Sequence, residues 1–248
     1  LNPSGSIGHI EKILERRSFF VRPPVANIDQ LAIVMAVTSP SPDLMLVDKL
    51  LISCQAKGIR PLLLINKTDL DQDSLADKLS EAYRGTGFPI RLLSKFQQEG
   101  YEVLHRELTG HVTAFAGQSG VGKSTILNAV FQHWIMETGD VSDRIQRGKH
   151  TTRHVQLFRL DQGGFILDTP GFSSFLISDV NHETLDTCYP EFSEALGRCR
   201  FTGCSHTGEP DCAVQALLGK GILDEGRYNR YVELYKELKE IYDNRYRR

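Results

Sequence analysis

The chain has 248 residues, of which 40% are hydrophobic and 24% are charged, and its formal net charge at pH 7 is −2. This composition is typical of globular proteins with a packed core, and the charge excludes a global attraction to nucleic acid, so any such surface has to be a local patch. No apolar run approaches the roughly 20 residues that cross a bilayer, and no signal peptide is recognisable. We therefore expect a cytoplasmic protein without membrane contact, and further residues before Leu1, because the chain does not begin with Met.

Short apolar runs along the chain are typical of strands that are buried on both faces. They are residues 31–37, 61–65, 88–93, 112–117, 155–160 and 164–168. Segments with helical periodicity lie between the earlier runs, and in one of them Leu44, Val47 and Leu51 follow a capping Asp43. This alternation predicts an α/β domain with a mostly parallel, doubly wound sheet. Only three residues separate the last two runs, which therefore predict an antiparallel hairpin.

The two ends of the chain differ from this pattern. Residues 1–26 are too few to bury a core, and they contain a Pro pair at residues 23–24, which suits a linker. After about residue 176 come polar loops that contain Cys, and then a helix from about residue 226 with an apolar stripe at helical spacing. Arg227, Arg230 and the basic tail 245–248 are suited to contact phosphates of RNA, and a solvated helix face is the alternative.

The run that ends at residue 65 is followed by Asn66, Lys67, Thr68 and Asp69, which resemble the guanine-reading loop of a GTPase. A buried Asp69 carboxylate would accept two hydrogen bonds from the adjacent N–H and NH₂ groups of guanine, an edge that adenine lacks. Asn66 would contact the opposite side of the base, and the stem of Lys67 would cover its face. We expect discrimination on the order of 10⁴ against other bases. Ser94 and Lys95, at the end of the next strand, would support the base.

Residues 117–125, GQSGVGKST, match the phosphate-loop pattern between a predicted strand and a predicted helix. The glycines let successive backbone N–H groups point at the β-phosphate, and the N-terminus of the helix favours negative charge. Lys123 would bridge the β- and γ-phosphates, and the Ser124 hydroxyl would bind Mg²⁺. The predicted nucleotide contacts in this loop are made by Gly117, Gln118, Ser119, Gly120, Val121, Gly122, Lys123, Ser124 and Thr125.

Two later segments would sense the γ-phosphate. In DTPG, Asp168 ends a predicted strand where a carboxylate linked to Mg²⁺ belongs, and the Gly171 amide would meet the γ-phosphate. Upstream, Thr151 or Thr152 would close over Mg²⁺, and we favour Thr152.

The residue that would orient the attacking water differs from the usual one. Many GTPases place a Gln after the DxxG glycine, but this chain has Phe172, and an apolar ring cannot position water. His150 is the natural substitute, because an imidazole can accept a hydrogen bond from water and transfer protons. Without a well-placed base, intrinsic turnover would be about 10⁻⁴ to 10⁻² s⁻¹, and a partner would stimulate it.

Five cysteines, an odd number without a secretion signal, argue against a disulfide framework. Cys199, Cys204, His206 and Cys212 provide three thiolates and one imidazole within 14 residues, a set suited to tetrahedral zinc. Four protein ligands leave no open position, which predicts a structural metal and not a catalytic one. Cys54 and Cys188 are expected to be plain buried thiols.

Together, NKTD, GQSGVGKST, GKHTTR, DTPG and CRFTGCSHTGEPDC closely resemble the bacterial circularly permuted GTPases of small ribosomal subunit assembly, the RsgA (YjeQ or EngC) family. In the numbering of GTPase motifs the order is G4-G5-G1-G2-G3. The resemblance implies the end of an OB-fold barrel and a linker in residues 1–26, the permuted GTPase domain in 27–176, and a zinc-binding domain with a C-terminal helix in 177–248. The family's GxHTT histidine, proposed to be catalytic, corresponds to His150, and its usual Arg is replaced by Lys149.

The resemblance also implies partners: GTP and GDP, Mg²⁺, one structural Zn²⁺, and the 30S subunit with its 16S rRNA, bound by a monomer. The 30S subunit would stimulate hydrolysis, and hydrolysis would be coupled to release during late maturation. The alternative is a guanine-nucleotide-gated, rRNA-binding assembly factor in which hydrolysis is incidental.

Overall fold

A mixed six-stranded sheet forms the framework of the computed structural model, which describes residues 12–13, 15–21, 23–138, 156–168, 177 and 179–245, with the backbone alone for 132–138, 156 and 168. Its strands are β3 (Gln30–Ala36), β4 (Arg60–Asn66), β5 (Ile90–Leu92), β6 (Val112–Ala116), β7 (Gln156–Arg159) and β8 (Phe165–Asp168). The helices are α1 (Leu44–Lys57), α2 (Leu75–Arg84), α3 (Gln98–Leu108), α4 (Lys123–Thr138) and α5 (Glu225–Asn244). The strand order is β5-β4-β3-β6-β8-β7, and all neighbours are parallel except β7 and β8.

Strand β3 lies in the middle of the sheet, and all seven of its residues are buried. Successive side chains of a strand point to opposite faces, and here they enter two different cores. Leu31, Ile33 and Met35 contribute to one apolar cluster, whereas Ala32 and Val34 contribute to the other. The α/β fold with a mostly parallel sheet buried on both faces is therefore confirmed.

Strand boundaries agree with the apolar runs to within a residue, with one exception. The run 88–93 predicts a six-residue strand, but only Ile90–Leu92 pair as one. Pro89 has no N–H with which to extend the ladder, although its carbonyl accepts from the Leu63 N–H at 2.9 Å. The predicted hairpin is confirmed, because β7 pairs antiparallel with β8 with Leu157 opposite Leu167.

Helix α1 joins the sheet to the C-terminal part of the chain. Asp43 caps it as predicted, accepting from the Leu46 N–H at 2.9 Å, and Gly58 ends it in the left-handed conformation. One face of α1 packs on the sheet, whereas Ile52 belongs to a third apolar cluster with residues from Val180 to Leu238. The helix is therefore shared between two cores.

The C-terminal part contains α5 and three short 3₁₀ helices, at Asp186–Cys188, Pro190–Phe192 and Gln215–Lys220. The predicted apolar stripe of α5 is buried at Tyr231, Leu234 and Leu238, but Ile241 is 60% exposed. Among the described residues, no helix is both long and apolar enough to cross a membrane.

The interpretation of Arg227 and Arg230 as phosphate-binding or solvated residues is wrong. Arg227 is only 1% exposed and forms ion pairs with Asp48 and Glu191, and the Arg230 Nε donates to Asp48 at 2.6 Å. The sequence shows the charges of these arginines but not their acidic partners, which come from distant segments. The basic tail beyond Arg245 lies outside the described residues.

Near the N-terminus, β1 (Phe19–Phe20) and β2 (Val25–Ala26) form a two-residue antiparallel pair. Phe20 and Val25 are buried in the same core as α1 and β3, so this segment packs on the main sheet. Its origin in an OB-fold, and the domain boundaries near residues 26 and 176, stay predictions.

Candidate nucleotide site and metal centre

The phosphate loop connects the carboxyl end of β6 to the start of α4, and it passes directly over the neighbouring β3. Gly117 has φ +135°, and a Cβ atom there would lie 2.2 Å from the backbone oxygen of Val34. Only glycine fits this close approach, because a side chain would overlap the strand. The loop is therefore held against the centre of the sheet.

The base-reading loop is bonded to the phosphate loop. The Asn66 side-chain amide donates to the Val121 backbone oxygen at 2.9 Å, and Lys67 Nζ donates to the Ser39 and Gly120 backbone oxygens at 2.6 and 2.9 Å. These contacts join segments that lie 55 and 53 residues apart in the chain. The two motifs therefore form one site, although the predicted contacts of Asn66 and Lys67 with a base stay predictions.

Thr68 ties the base-reading loop to the end of β5, since its backbone N–H and its hydroxyl both lie 3.1 Å from the Leu93 backbone oxygen. Ser94 and Lys95 follow directly. Ser94 is buried, and its Oγ accepts from the Phe96 N–H, whereas the Lys95 ammonium lies 4.7 Å from the centre of the exposed Phe96 ring. The predicted second base segment therefore adjoins the first.

Asp69 lies in the short 3₁₀ helix Thr68–Leu70, and its side chain is exposed, not buried as predicted. An exposed carboxylate at this edge is accessible to an incoming base, which would itself exclude water from the contact. Burial and the nearby Asp69 charge raise the pKa of the Tyr101 hydroxyl on α3. Tyr101 is thus within electrostatic reach of the candidate base-reading carboxylate, and sequence reasoning missed it, since its place in the apolar stripe of a helix does not indicate a role at the site.

In the phosphate loop itself, Lys123 Nζ donates to the backbone oxygens of Gly117 and Gln118, both at 2.7 Å. Ser119, Ser124 and Thr125 are exposed at the mouth of the loop. Their hydroxyls are therefore accessible to a phosphate or to a metal ion bound with it.

The carboxyl ends of β3, β4, β5, β6 and β8 lie at one edge of the sheet, because these five strands are parallel. This edge is the usual ligand position in open α/β sheets. The backbone of Asp168 ends β8, next to the strand that leads into the phosphate loop, as the sequence predicts. The predicted positions at His150, Thr151, Thr152 and Gly171 lie outside the described residues, as does the Asp168 side chain.

The four metal-binding candidates of the C-terminal part converge. The donor atoms of Cys199, Cys204, His206 and Cys212 all lie within 4.8 Å of one another. Bond lengths of about 2.3 Å to sulfur and about 2.0 Å to nitrogen would place the corners of a tetrahedral zinc site about 3.5 to 3.8 Å apart. Cys199 Sγ lies 3.5 Å from His206 Nδ1 and 3.9 Å from Cys212 Sγ. The donor set and its spacing fit a tetrahedral metal ion.

Groups around the cluster orient its ligands. His206 directs Nδ1 towards the sulfurs and Nε2 towards Asp186 Oδ2, 3.5 Å away, which is the usual carboxylate support for a metal-binding imidazole. Tyr228 and Tyr231 of α5 donate to the backbone oxygens of His206 and Ser205, both at 2.8 Å. The metal loop is thus bonded to α5. The spacing of the cysteines in the sequence predicts the candidate ligands, but it does not predict the supporting contacts from Asp186, Tyr228 and Tyr231.

The other two cysteines are buried, as predicted. Burial raises the pKa of the Cys54 thiol far above its ordinary value, as is typical of a plain buried thiol.

The family model of the RsgA GTPase matches residues 13–178, which contain both nucleotide motifs. The chain belongs to the RsgA GTPase family. A relative named small ribosomal subunit biogenesis GTPase RsgA, from Ruminiclostridium cellulolyticum, is 51% identical over 235 residues, which cover 95% of this chain and 77% of the relative. The relative of that name from Bacillus subtilis is 39% identical over 237 residues, 94% of this chain and 79% of its own length.

Two solved structures of related proteins have the same fold. YjeQ from Thermotoga maritima matches with a TM-score of 0.74 at 34% identity, covering 92% of this chain and 77% of that structure. YloQ, described as a circularly permuted GTPase, matches with a TM-score of 0.75 at 33% identity, covering 97% of this chain and 78% of that structure. The predicted resemblance and the circularly permuted fold are therefore confirmed.

The permuted order of this RsgA-type GTPase domain leaves the site intact. The base-reading loop precedes the phosphate loop in sequence, but β4, β3 and β6 are consecutive in the sheet. Spatial order therefore brings the two loops together, whichever comes first along the chain.

We expect replacement of Gly122 by Ala to raise the Kd for GDP at least about 5-fold. Gly122 has φ +99°, and an added Cβ would lie 2.3 Å from Asn66 Nδ2, the atom that joins the two loops. Strain of this kind costs about 1–3 kcal/mol, which corresponds to a factor of about 5 to 150 in affinity. Equilibrium binding of a fluorescent GDP measures the effect.

Gly163→Ala is the matched control, because Gly163 also has positive φ (+91°) but nothing lies within 4 Å of its added Cβ. It should share the backbone strain and bind GDP as the unmodified protein does. Equal affinity of both variants would contradict the proposed steric role of Gly122.

Proposed function

We propose that this protein hydrolyses GTP, with Mg²⁺, during late maturation of the 30S small ribosomal subunit, that the subunit stimulates hydrolysis, and that hydrolysis is coupled to release. The observation that carries the proposal is the direct bonding of the Asn66 and Lys67 side chains to the phosphate loop, at the ligand-binding edge of an RsgA-type GTPase fold. A base-reading loop that contacts a phosphate-binding loop is suited to bind a single guanine nucleotide. The names of the relatives, small ribosomal subunit biogenesis GTPases, support the cellular role.

In this proposal the base is read by Asp69, with Asn66, Lys67 and Thr68 holding the loop and Ser94 and Lys95 beside it. The geometry supports the assignment, because Thr68 bonds to Leu93 and thus brings the two base segments together. The phosphate contacts come from residues 117–125 and from Gly171.

Magnesium would be held by the hydroxyls of Ser124 and Thr152, with the Asp168 carboxylate behind them. Mg²⁺ would neutralise charge on the β- and γ-phosphate oxygens. His150 would orient the attacking water. Support for these roles comes from the exposed position of Ser124 and from the place of Asp168 at the carboxyl end of β8.

The Cys₃His cluster would hold one structural Zn²⁺. Its support is the near-tetrahedral spacing of the ligands and the Asp186 carboxylate behind His206.

We propose that residues 177–248 form the zinc-binding domain and that residues 27–176 form the GTPase domain. We also propose that the protein is a monomer that contacts 16S rRNA in the cytoplasm.

Single-turnover hydrolysis of GTP, with and without purified 30S subunits, tests the proposal. We expect the subunits to raise the rate well above the intrinsic about 10⁻⁴ to 10⁻² s⁻¹, and His150→Ala to abolish most of the stimulated rate. Nucleotide-dependent binding to 30S subunits without faster hydrolysis would favour the gated rRNA-binding factor instead. Equal stimulated rates for His150→Ala and the unmodified protein would remove His150 from the mechanism.

A further inference from the structure

Helix α1 begins in contact with the phosphate loop. The Asp43 backbone N–H donates to Gln118 Oε1 at 2.9 Å, while the Asp43 carboxylate caps the helix at the Leu46 N–H. Just upstream, the Ser39 backbone oxygen accepts from Lys67, which also bonds to Gly120. The segment that leads into α1 therefore contacts the phosphate loop directly at Gln118 and, through Lys67, at Gly120.

Five residues further along α1, Asp48 is fully buried and is bonded to the C-terminal part of the chain. Its Oδ1 accepts from Arg227 Nη1 at 2.6 Å and from the Tyr83 hydroxyl at 2.8 Å. Its Oδ2 accepts from Arg230 Nε at 2.6 Å. Asp48 and Asp43 lie about 7 Å apart along the helix axis, because an α-helix rises about 1.5 Å per residue.

The bonds around Asp48 restrict movement of α1 relative to α5. Arg227 also pairs with Glu191, and its guanidinium lies 4.6 Å from the centre of the Tyr189 ring. Two carboxylates and two guanidinium groups balance in charge, and a buried charge that loses its partner is costly. A displacement of α1 relative to α5 would break several of these bonds at once. Helix α5 therefore fixes the position of α1.

We propose that Asp48, Arg227 and Arg230 are positioning residues for the nucleotide site, which hold α1 where its first turn meets Gln118 and so maintain the phosphate loop. The inference rests on the nucleotide site of the proposed function. Its consequence is that the C-terminal domain contributes to nucleotide affinity without touching the nucleotide. Because such coupling is reciprocal, bound nucleotide stabilises the contact between α1 and α5.

The test is the Kd for fluorescent GDP of the full chain carrying Arg230→Gln. Arg230 lies at the edge of the cluster, so its loss leaves the bonds between Arg227, Asp48 and Glu191 in place. Coupling through packed elements changes affinities by about 2- to 30-fold, and we expect a rise in Kd within this range. Lys239→Gln is the matched control, since Lys239 is an exposed cation on α5, and it should bind GDP as the unmodified chain does.

A double-mutant cycle with Gln118→Ala separates positioning from mere stability. If Arg230 acts through α1 and Gln118, the two substitutions together should weaken GDP binding by less than the product of their separate effects. Effects that multiply, or a Kd for Arg230→Gln equal to that of the unmodified chain, would overturn the inference. If Arg230→Gln does not fold, Arg230→Lys takes its place, because it keeps the charge but loses the guanidinium geometry, and we expect a rise in Kd of at least about 2-fold.

The two proposals fail in different ways. An unmodified chain that binds no guanine nucleotide contradicts the proposed function. An unmodified chain that binds GDP, together with an Arg230→Gln variant of the same affinity, contradicts only the positioning role.

Discussion

Replacing Asp69 with Asn is expected to change the base preference of the nucleotide site from guanine to xanthine. Guanine presents two adjacent donors, which a carboxylate accepts, whereas xanthine presents one donor and one oxygen, which match the amide of Asn. A site that reads a polar edge rejects the wrong partner by about 10⁴-fold, so we expect the ratio of the Kd values for GTP and XTP to change by at least that factor. Competition of both nucleotides against fluorescent GDP measures the ratio.

Asp71→Asn is the control for this change, because Asp71 lies only two residues away and has a different task. Its carboxylate accepts from the backbone N–H groups of Leu75 and Ala76 at the start of α2, at 2.9 and 2.8 Å. The Asp71 variant should keep its preference for guanine. An Asp69→Asn variant that still prefers GTP to XTP would exclude Asp69 as the base reader.

Replacing Asp48 with Ala is expected to lower the free energy of unfolding by about 3–5 kcal/mol. The change would leave the buried Arg227 and the half-buried Arg230 without their shared carboxylate, and an uncompensated buried charge costs about that much. It would also remove the acceptor of the buried Tyr83 hydroxyl. Urea unfolding, followed separately by tyrosine fluorescence and by circular dichroism, measures the loss.

Asp179→Ala is the control at the same interface. Asp179 pairs with Lys57 of α1 at 2.6 Å, but its side chain is 40% exposed, and a pair of this kind contributes at most about 1 kcal/mol. A loss for Asp48→Ala that is no larger than that for Asp179→Ala would show that the cluster around Asp48 does not stabilise the protein.

Much of the chemistry could be predicted from short segments. The phosphate loop occupies residues 117–125, and the four candidate metal ligands lie within residues 199–212, so covalent spacing alone limits which groups can meet. Likewise, the apolar run at 31–37 predicted a strand buried on both faces, because only such a strand has no polar face. The strand predicted at 88–93 was too long. Pro89 limits backbone pairing at this point, whereas the apolar pattern of the sequence continues.

The sequence by itself therefore determined the α/β class, the two candidate nucleotide loops, the candidate metal ligands and the RsgA-type resemblance, because each depends on residues close together in the chain. Tertiary structure alone decided which distant groups pair. Arg227 and Arg230 were interpreted as surface cations, yet they meet Asp48 across 179 and 182 residues. Likewise, Asn66 reaches the phosphate loop only because β3 lies between β4 and β6. The residue type specifies the sign of a charge and the length of the side chain that carries it, but the partner of that charge depends on how the helices and strands pack.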